Sequence, residues 1–260
     1  LLGSTIHHYG MLEAEITCNL TLEGVLFAGG ATIDVSQPTG ILRILGAIDS
    51  TGGPFQRTLR KTGQGELRLF GANTYGGVTA IEEGELRMRH ASALGTPAAN
   101  TIVSNGAVLG VDVLGSPVIA EPLMLAGQGT SSASDGAMTF RVPATWSGTI
   151  ALFGASTPSI ALAYSSPSST ISGVISGSTN LMTLGPATLR LSGANEYTGT
   201  TYVMGGAVVI GNSQAFGSAS AGTNVLAGGS LVFDVPEVLD EPLSADTGGS
   251  GPVLQCLVPA

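Results

Sequence analysis

Charge is what this chain has least of. Nine basic and eighteen acidic residues among 260 make 10 % charged side chains, against about 25 % in an average globular domain. Lys61 is the single lysine, and the formal net charge is −9. Phosphate backbones are held by clustered cations, so this balance argues against a nucleic-acid partner. Cysteine is nearly absent too, with Cys18 and Cys256 at opposite ends and at no metal-ligand spacing. No run approaches the roughly 20 apolar residues that a membrane-spanning helix requires. Neither an initiator methionine nor a charged-then-apolar leader opens the chain, which reads as a segment of a longer precursor. Amphipathic periodicity of 3.6 residues is missing as well, and with it the usual signal for helices.

What remains is short apolar bursts separated by small residues. Hydrophobic residues make up 43 % of the chain, enough to fill a core and offset the entropy of ordering. The bursts alternate: Leu86, Met88 and His90 point one way, Arg87 and Arg89 the other. Glu66-Leu67-Arg68-Leu69, Thr188-Leu189-Arg190-Leu191 and Ala207-Val-Val-Ile210 do the same. Clusters of Gly, Asn, Ser and Asp punctuate these runs every six to ten residues, as turns require. The reading is all-β with many short strands.

The chain also repeats itself. Leu67-Arg-Leu-Phe-Gly71-Ala-Asn73-Thr-Tyr75-Gly-Gly77 returns 122 residues later as Leu189-Arg-Leu-Ser-Gly193-Ala-Asn195-Glu-Tyr197-Thr-Gly199. The match runs on through Gly84/Gly206, Ala93-Leu94-Gly95/Ala215-Phe216-Gly217, Asp112/Asp234 and Glu121-Pro-Leu123/Glu241-Pro-Leu243. Duplicated strand-and-turn units point to a solenoid. We expect one continuous right-handed parallel β-helix of about a dozen coils, with repeat units at about 44–129 and 171–251. Asn73 and Asn195 are the expected corner residues, stacking along the axis through their amides. Gly71, Gly77, Gly193 and Gly199 are expected to supply corners, where glycine permits positive φ. Tyr75 and Tyr197 are expected to cover the turn with an apolar ring. The two cysteines of such a rod would be too far apart to pair.

These residues resemble the passenger-associated β-strand repeats of bacterial autotransporters. Leu59-Arg-Lys61-Thr-Gly63-Gln-Gly65-Glu-Leu67-Arg-Leu69-Phe-Gly71-Ala-Asn73-Thr-Tyr75 fits that pattern at nearly every position. The second copy departs from it, with Thr183 in place of the lysine and Pro186-Ala187 disturbing the Gly-x-Gly. Thr145-Trp146-Ser-Gly148-Thr-Ile150 looks like a strand common between such repeats. The resemblance implies an exported β-helical passenger at a bacterial surface, extending or folding the passenger, and it implies no particular activity.

A search for chemistry finds little. His7, His8 and His90 form no ligand set, and adjacent strand residues such as His7 and His8 face opposite sides. There is no Gly-x-Ser-x-Gly elbow and no Gly-Lys pair for a phosphate loop. Acidic residues gather as Glu82/Glu83/Glu85 and Asp234/Glu237/Asp240/Glu241/Asp246, both read as solvated turn charges. No catalytic residue, metal site or cofactor is assigned.

Six basic residues, Arg57, Arg60, Lys61, Arg68, Arg87 and Arg89, could align into a stripe for an acidic surface glycan. Pairing with Glu66, Glu82, Glu83 and Glu85 is the plainer reading. Residues 142–189 hold no charge at all, which suggests Ser/Thr-faced coils or a flank for self-association or packing on neighbouring segments. Lysines at Ala161 and Ala163 would then block assembly. The favoured function is a non-enzymatic stalk, adhesin or fibre-forming segment outside the cell. The alternative is a polysaccharide-binding or polysaccharide-cleaving β-helix.

Overall fold

Strands of two to five residues, most of them buried on alternate positions, leave the chain no way to bury a face except by stacking coil on coil. The computed structural model describes residues 5–8, 11–13, 20–22, 24–27, 31–49, 58–130, 135–163, 168–236, 241–245 and 253–256. For 5–27 and for 253, 255 and 256 it describes the backbone alone. Cys18, Arg57, Glu237, Asp240 and Asp246 lie outside the described residues.

The described strands are all paired in parallel and wind through three faces in turn, forming a β-solenoid. Face one holds eight strands, from Met11–Glu13 to Ile175–Gly177. Face two runs without a break through eleven, from Leu20–Leu22 to Leu243–Ala245. Face three has three strands ending at Ile48–Asp49, and seven more from Val118–Ile119 to Val253–Cys256. Eleven coils at about 4.8 Å give a body about 50 Å long, close to the dozen coils expected. Among the described residues no helix is long and apolar enough to cross a membrane.

The interior is a set of columns. On face two, Leu42, Leu67, Leu86, Leu109, Met138 and Ile160 stand in register from coil to coil, and each is fully buried. Each such side chain contributes about 1.5–3 kcal/mol by leaving water. Trp146 fills the centre from face three, also fully buried.

The duplication has a geometric twist. Leu67 and Leu69 belong to face two, whereas their counterparts Leu189 and Leu191 belong to face three. Thr79–Ile81 lies on face one and Thr201–Val203 on face two. The 122-residue offset therefore carries the chain through five coils and on by one face, about 23 residues per coil. The second repeat is the first turned by a third of a revolution about the axis.

Candidate functional site: the asparagine clamps and the charged face

In each repeat the coil that carries Gly-Ala-Asn passes one face with no strand, at 70–78 and at 192–200, and in both an asparagine takes over the ladder's work. Asn73 follows Ile48–Asp49 on face three. Its Oδ1 accepts the Ile48 N–H at 2.7 Å from the coil below, and its Nδ2 donates to the Ala93 carbonyl of the coil above. Asn195 does the same one face round: Oδ1 accepts from Ile175 N–H at 2.8 Å and Nδ2 donates to Ala215 O at 2.6 Å. Both asparagines are buried. The side-chain amide acts as a substitute peptide group, pairing one donor and one acceptor that would otherwise be orphaned. The expected asparagine-on-asparagine stack is thus corrected. The two are five coils apart on different faces, and each bridges backbone to backbone.

The neighbouring site residues follow the same pattern. Tyr75 and Tyr197 are fully buried, with hydroxyls against Thr79 Oγ1 at 2.7 Å and Thr201 Oγ1 at 2.5 Å. Burial pushes both phenols well above the ordinary tyrosine range, so they stay neutral. Each ring is an interior plug with a polar tip. Gly71 and Gly193 have no positive φ, which corrects the reason for their presence. A Cβ on Gly193 would run into the Gly173 carbonyl, and one on Gly71 into that of Gly46. Glycine is required there by the close approach of stacked coils. Gly77 is buried beside the Tyr75 turn, and a Cβ on Gly199 would overlap the Thr179 carbonyl.

Lys61, grouped by sequence with an outward basic stripe, points inward. It is fully buried between Ile33 and Ile81. Its Nζ donates to the carbonyls of Thr62 at 2.7 Å, Gly63 at 2.7 Å and Glu83 at 3.1 Å, tying two coil corners together. Burial pulls its ammonium down to about 8, against the opposing fields of Asp34 and Glu83. An unfolded lysine titrates near 10.5, so between these values the unfolded chain holds the proton more firmly. The Lys61 contribution to stability therefore rises as pH climbs from about 8 towards 10.5, by at most about 3 kcal/mol. Urea titrations from pH 7.5 to 9.5 should show this rise in the natural chain and its absence in Lys61→Met. The second copy has Thr183 at this place, buried and with no hydrogen-bond partner for its Oγ1 among the described residues.

The described arginines of the stripe, Arg60, Arg68, Arg87 and Arg89, are outward, and they are engaged. Arg43, Arg68 and Arg87 stack in register on face two beside Glu66 and Glu85. Like charges directly opposite repel, and the pairs interleave to relieve it. Arg68 meets Glu66 at 2.6 Å, Arg87 meets Glu66 at 2.7 Å and Glu85 at 3.1 Å, and Arg141 meets Glu85 at 3.0 Å and Asp135 at 3.2 Å. Arg89 pairs with Asp112 and lies 5.5 Å from the Phe70 ring centre. Arg60 bonds Glu82, and Arg190 meets Asp234 at 2.6 Å. This is the plainer reading of the charge clusters. Glu83, whose backbone carbonyl receives Lys61, lines an open corner groove with Pro38, Gln64, Asn105 and a second carboxyl, Glu82, which is engaged by Arg60.

Within the charge-free stretch, Ala161 is fully buried. Ala137 N–H donates to Ser159 Oγ at 3.2 Å, and Thr139 exchanges hydrogen bonds with Gly136. The chain at 135–137 thus lies over this part of face two, so a lysine at Ala161 tests packing and not assembly. Exposed apolar surface lies further along, where Met182 and Tyr202 pair and Met204, 42 % exposed, follows beside Leu184.

Two further elements have a role that the sequence did not assign. One is the buried pair of threonines in each copy, Thr79 on Thr101 and Thr201 on Thr223. The other is the carboxyl at the end of each, Glu121 and Glu241. Their recurrence at nearly the same offset was the available clue.

Comparison with known proteins agrees with this architecture. The passenger-associated-transport-repeat family matches residues 59–88 and 184–210, the two stretches that carry Leu67-Arg-Leu and Leu189-Arg-Leu. The Adhesin BmaC autotransporter of Brucella suis biovar 1 (strain 1330) is 30 % identical over 190 residues, which are 72 % of this chain and 5 % of that protein. The chain thus spans about one twentieth of the length of that curated relative. No solved structure matches. A parallel solenoid whose two clamp-bearing units coincide with the family's repeat belongs outside the cell or at its surface: the chain is a passenger-associated-transport-repeat segment of an autotransporter passenger domain.

Proposed function

We propose that this segment is a non-enzymatic structural module, a stalk or adhesive length of a bacterial surface passenger, and that residues 1–260 form one continuous solenoid within a longer exported chain. The observation that supports it best is how the polar groups are used. Arg68 and Arg87 on face two, with Arg141 beside them, are neutralised by carboxylates, the buried lysine and asparagines are committed to backbone groups, and the interior is filled by stacked side chains. A relative named as an adhesin supports the adhesive reading. In-frame removal of this segment from its surface-displayed parent should lower attachment to host cells or matrix-coated surfaces. The purified chain should release no reducing ends from acidic polysaccharides, and release of reducing ends would overturn the proposal.

Lateral self-association belongs to the same reading, through the apolar surface of Met182, Leu184, Tyr202 and Met204. Sedimentation velocity should show concentration-dependent growth that Met204→Lys abolishes. Equal behaviour of the two chains would remove this part of the proposal.

A further inference from the structure

Inside each repeat a short polar track crosses the apolar interior and ends at a carboxyl. In the first copy the Tyr75 hydroxyl lies 2.7 Å from Thr79 Oγ1, which donates to Leu94 O at 3.0 Å. One coil on, Thr101 is stacked on Thr79 and donates to Glu121 Oε1 at 2.8 Å. Glu121 is 6 % exposed and occupies the corner between Val118–Ile119 on face three and Leu123–Leu125 on face one. The same order recurs one face round. Tyr197 meets Thr201, Thr223 stacks on Thr201, and Thr223 donates to Glu241 Oε1 at 3.0 Å.

What surrounds Glu121 is uncharged. It stands at the foot of a cavity of about 210 Å³ with Ala91, Ser92, Gly95, Pro97, Val118 and Ala120. From the adjoining coil its carboxyl meets the Thr101 hydroxyl, the Tyr75 phenol further along the track is neutral, and the backbone of Gly148 lies against the Glu121 main-chain carbonyl. Among the described residues no lysine, arginine or histidine pairs with it. A carboxylate in such a place has lost water and gained one hydroxyl donor, which leaves its charge under-compensated.

We propose that the Glu121 corner is an acid-tightened latch. Protonated, the carboxyl sits comfortably under the next coil. Ionised, it favours local opening of the corner towards water. Burial pushes the Glu121 carboxyl up to about 7, partly opposed by the Thr101 hydrogen bond, and shifts Glu241 upward for the same reason. The folded value lies above the unfolded 4.5, so the folded chain holds the proton more firmly between them. The stabilisation is fully present below about 4.5 and is lost as pH rises through about 7. The segment is then stiffer in acidic surroundings than in neutral ones.

Hydrogen exchange of the whole chain tests this, with rates corrected for the intrinsic pH dependence and read at the amides of Leu123–Leu125. Protection should fall about tenfold or more between pH 4.5 and 7.5 in the natural chain. It should stay level in Glu121→Gln, while the exposed-site control Glu196→Gln keeps the fall. Thr101→Val, which deletes the opposing hydrogen bond, should move the midpoint upward. Protection independent of pH in the natural chain, an identical fall in Glu121→Gln, or an unmoved midpoint in Thr101→Val would overturn the proposal.

Discussion

Replacing Asn73 with alanine is expected to cost about 2–6 kcal/mol, measured by chemical denaturation, because it orphans two buried backbone groups at once. The Ile48 N–H loses its acceptor and the Ala93 carbonyl loses its donor. Water cannot replace them cheaply, since Asn73 is 3 % exposed and the Tyr75 ring packs beside it, fully buried. Asn73→Asp is an informative companion. It keeps an acceptor for Ile48 but sets a carboxylate oxygen against the Ala93 carbonyl and buries a charge, so it should be no better tolerated than alanine. Asn195→Ala should behave alike through Ile175 and Ala215. The clamps are five coils apart and share no partner, so the double substitution should be additive within about 0.5 kcal/mol. In a solenoid, damage is local before it is global. Exchange protection should therefore fall first in the coils adjoining the altered clamp. Near-neutral stability in Asn73→Ala would mean that the clamp is ornamental.

The second large effect is expected at the glycine corner. Gly148, Gly173 and Gly193 lie one above the other, and a Cβ on either of the latter two would overlap the carbonyl oxygen of the glycine below. The obstacle in each case is backbone, which cannot rotate aside as a side-chain tip can. Gly193→Ala would meet the Gly173 carbonyl and also the Asn195 Oδ1 that accepts from Ile175. We expect a loss of about 3 kcal/mol or more, with an irregular stacking distance passed to neighbouring coils. Gly76→Ala is the control. Its φ is not positive, and its Cβ would meet nothing closer than Thr96 Oγ1 at 3.5 Å. That change should be neutral or slightly stabilising. Equal melting temperatures for Gly193→Ala and Gly76→Ala would contradict the close-packed corner.

Much of this architecture is written in the alternation of the strands. Leu67, Leu69, Leu86 and Met88 stand in the core as their period of two requires, and Arg68 and Arg87 stand outside. The Gly-Ala-Asn-x-Tyr turns were legible as turns, because glycine and asparagine punctuate a strand sequence. What an asparagine does there was not legible, since its partners are 20 and 25 residues away and depend on coil length. The same holds for the rotation of the second repeat. An offset of 122 residues becomes a third of a turn only when each coil is about 23 residues long. Lys61 obeys the alternation of its strand but defeats the expectation that a charge faces outward, for a chemical reason. It occupies an inward position that an aliphatic residue would normally take, and three corner carbonyls supply the contacts its ammonium needs. Ala161 was misplaced because burial on an outward face depends on what crosses it, which local periodicity does not encode. Glu121 was visible only as part of the Glu-Pro-Leu match between the copies, and its isolation emerges only when the neighbouring coils are in place.

The central claim is that both repeats belong to one rigid stack, related by five coils and one face. Pulsed dipolar spectroscopy between spin labels at Ala72 and Ala194, both exposed beside their clamps, tests it directly. The axial rise between them is about 25 Å, and the change of face adds to the separation without blurring it. A single narrow distribution between about 25 and 40 Å is expected, unchanged by dilution. A broad distribution, or one whose centre lies well beyond that range, would mean two independently moving repeats and would contradict the continuous solenoid.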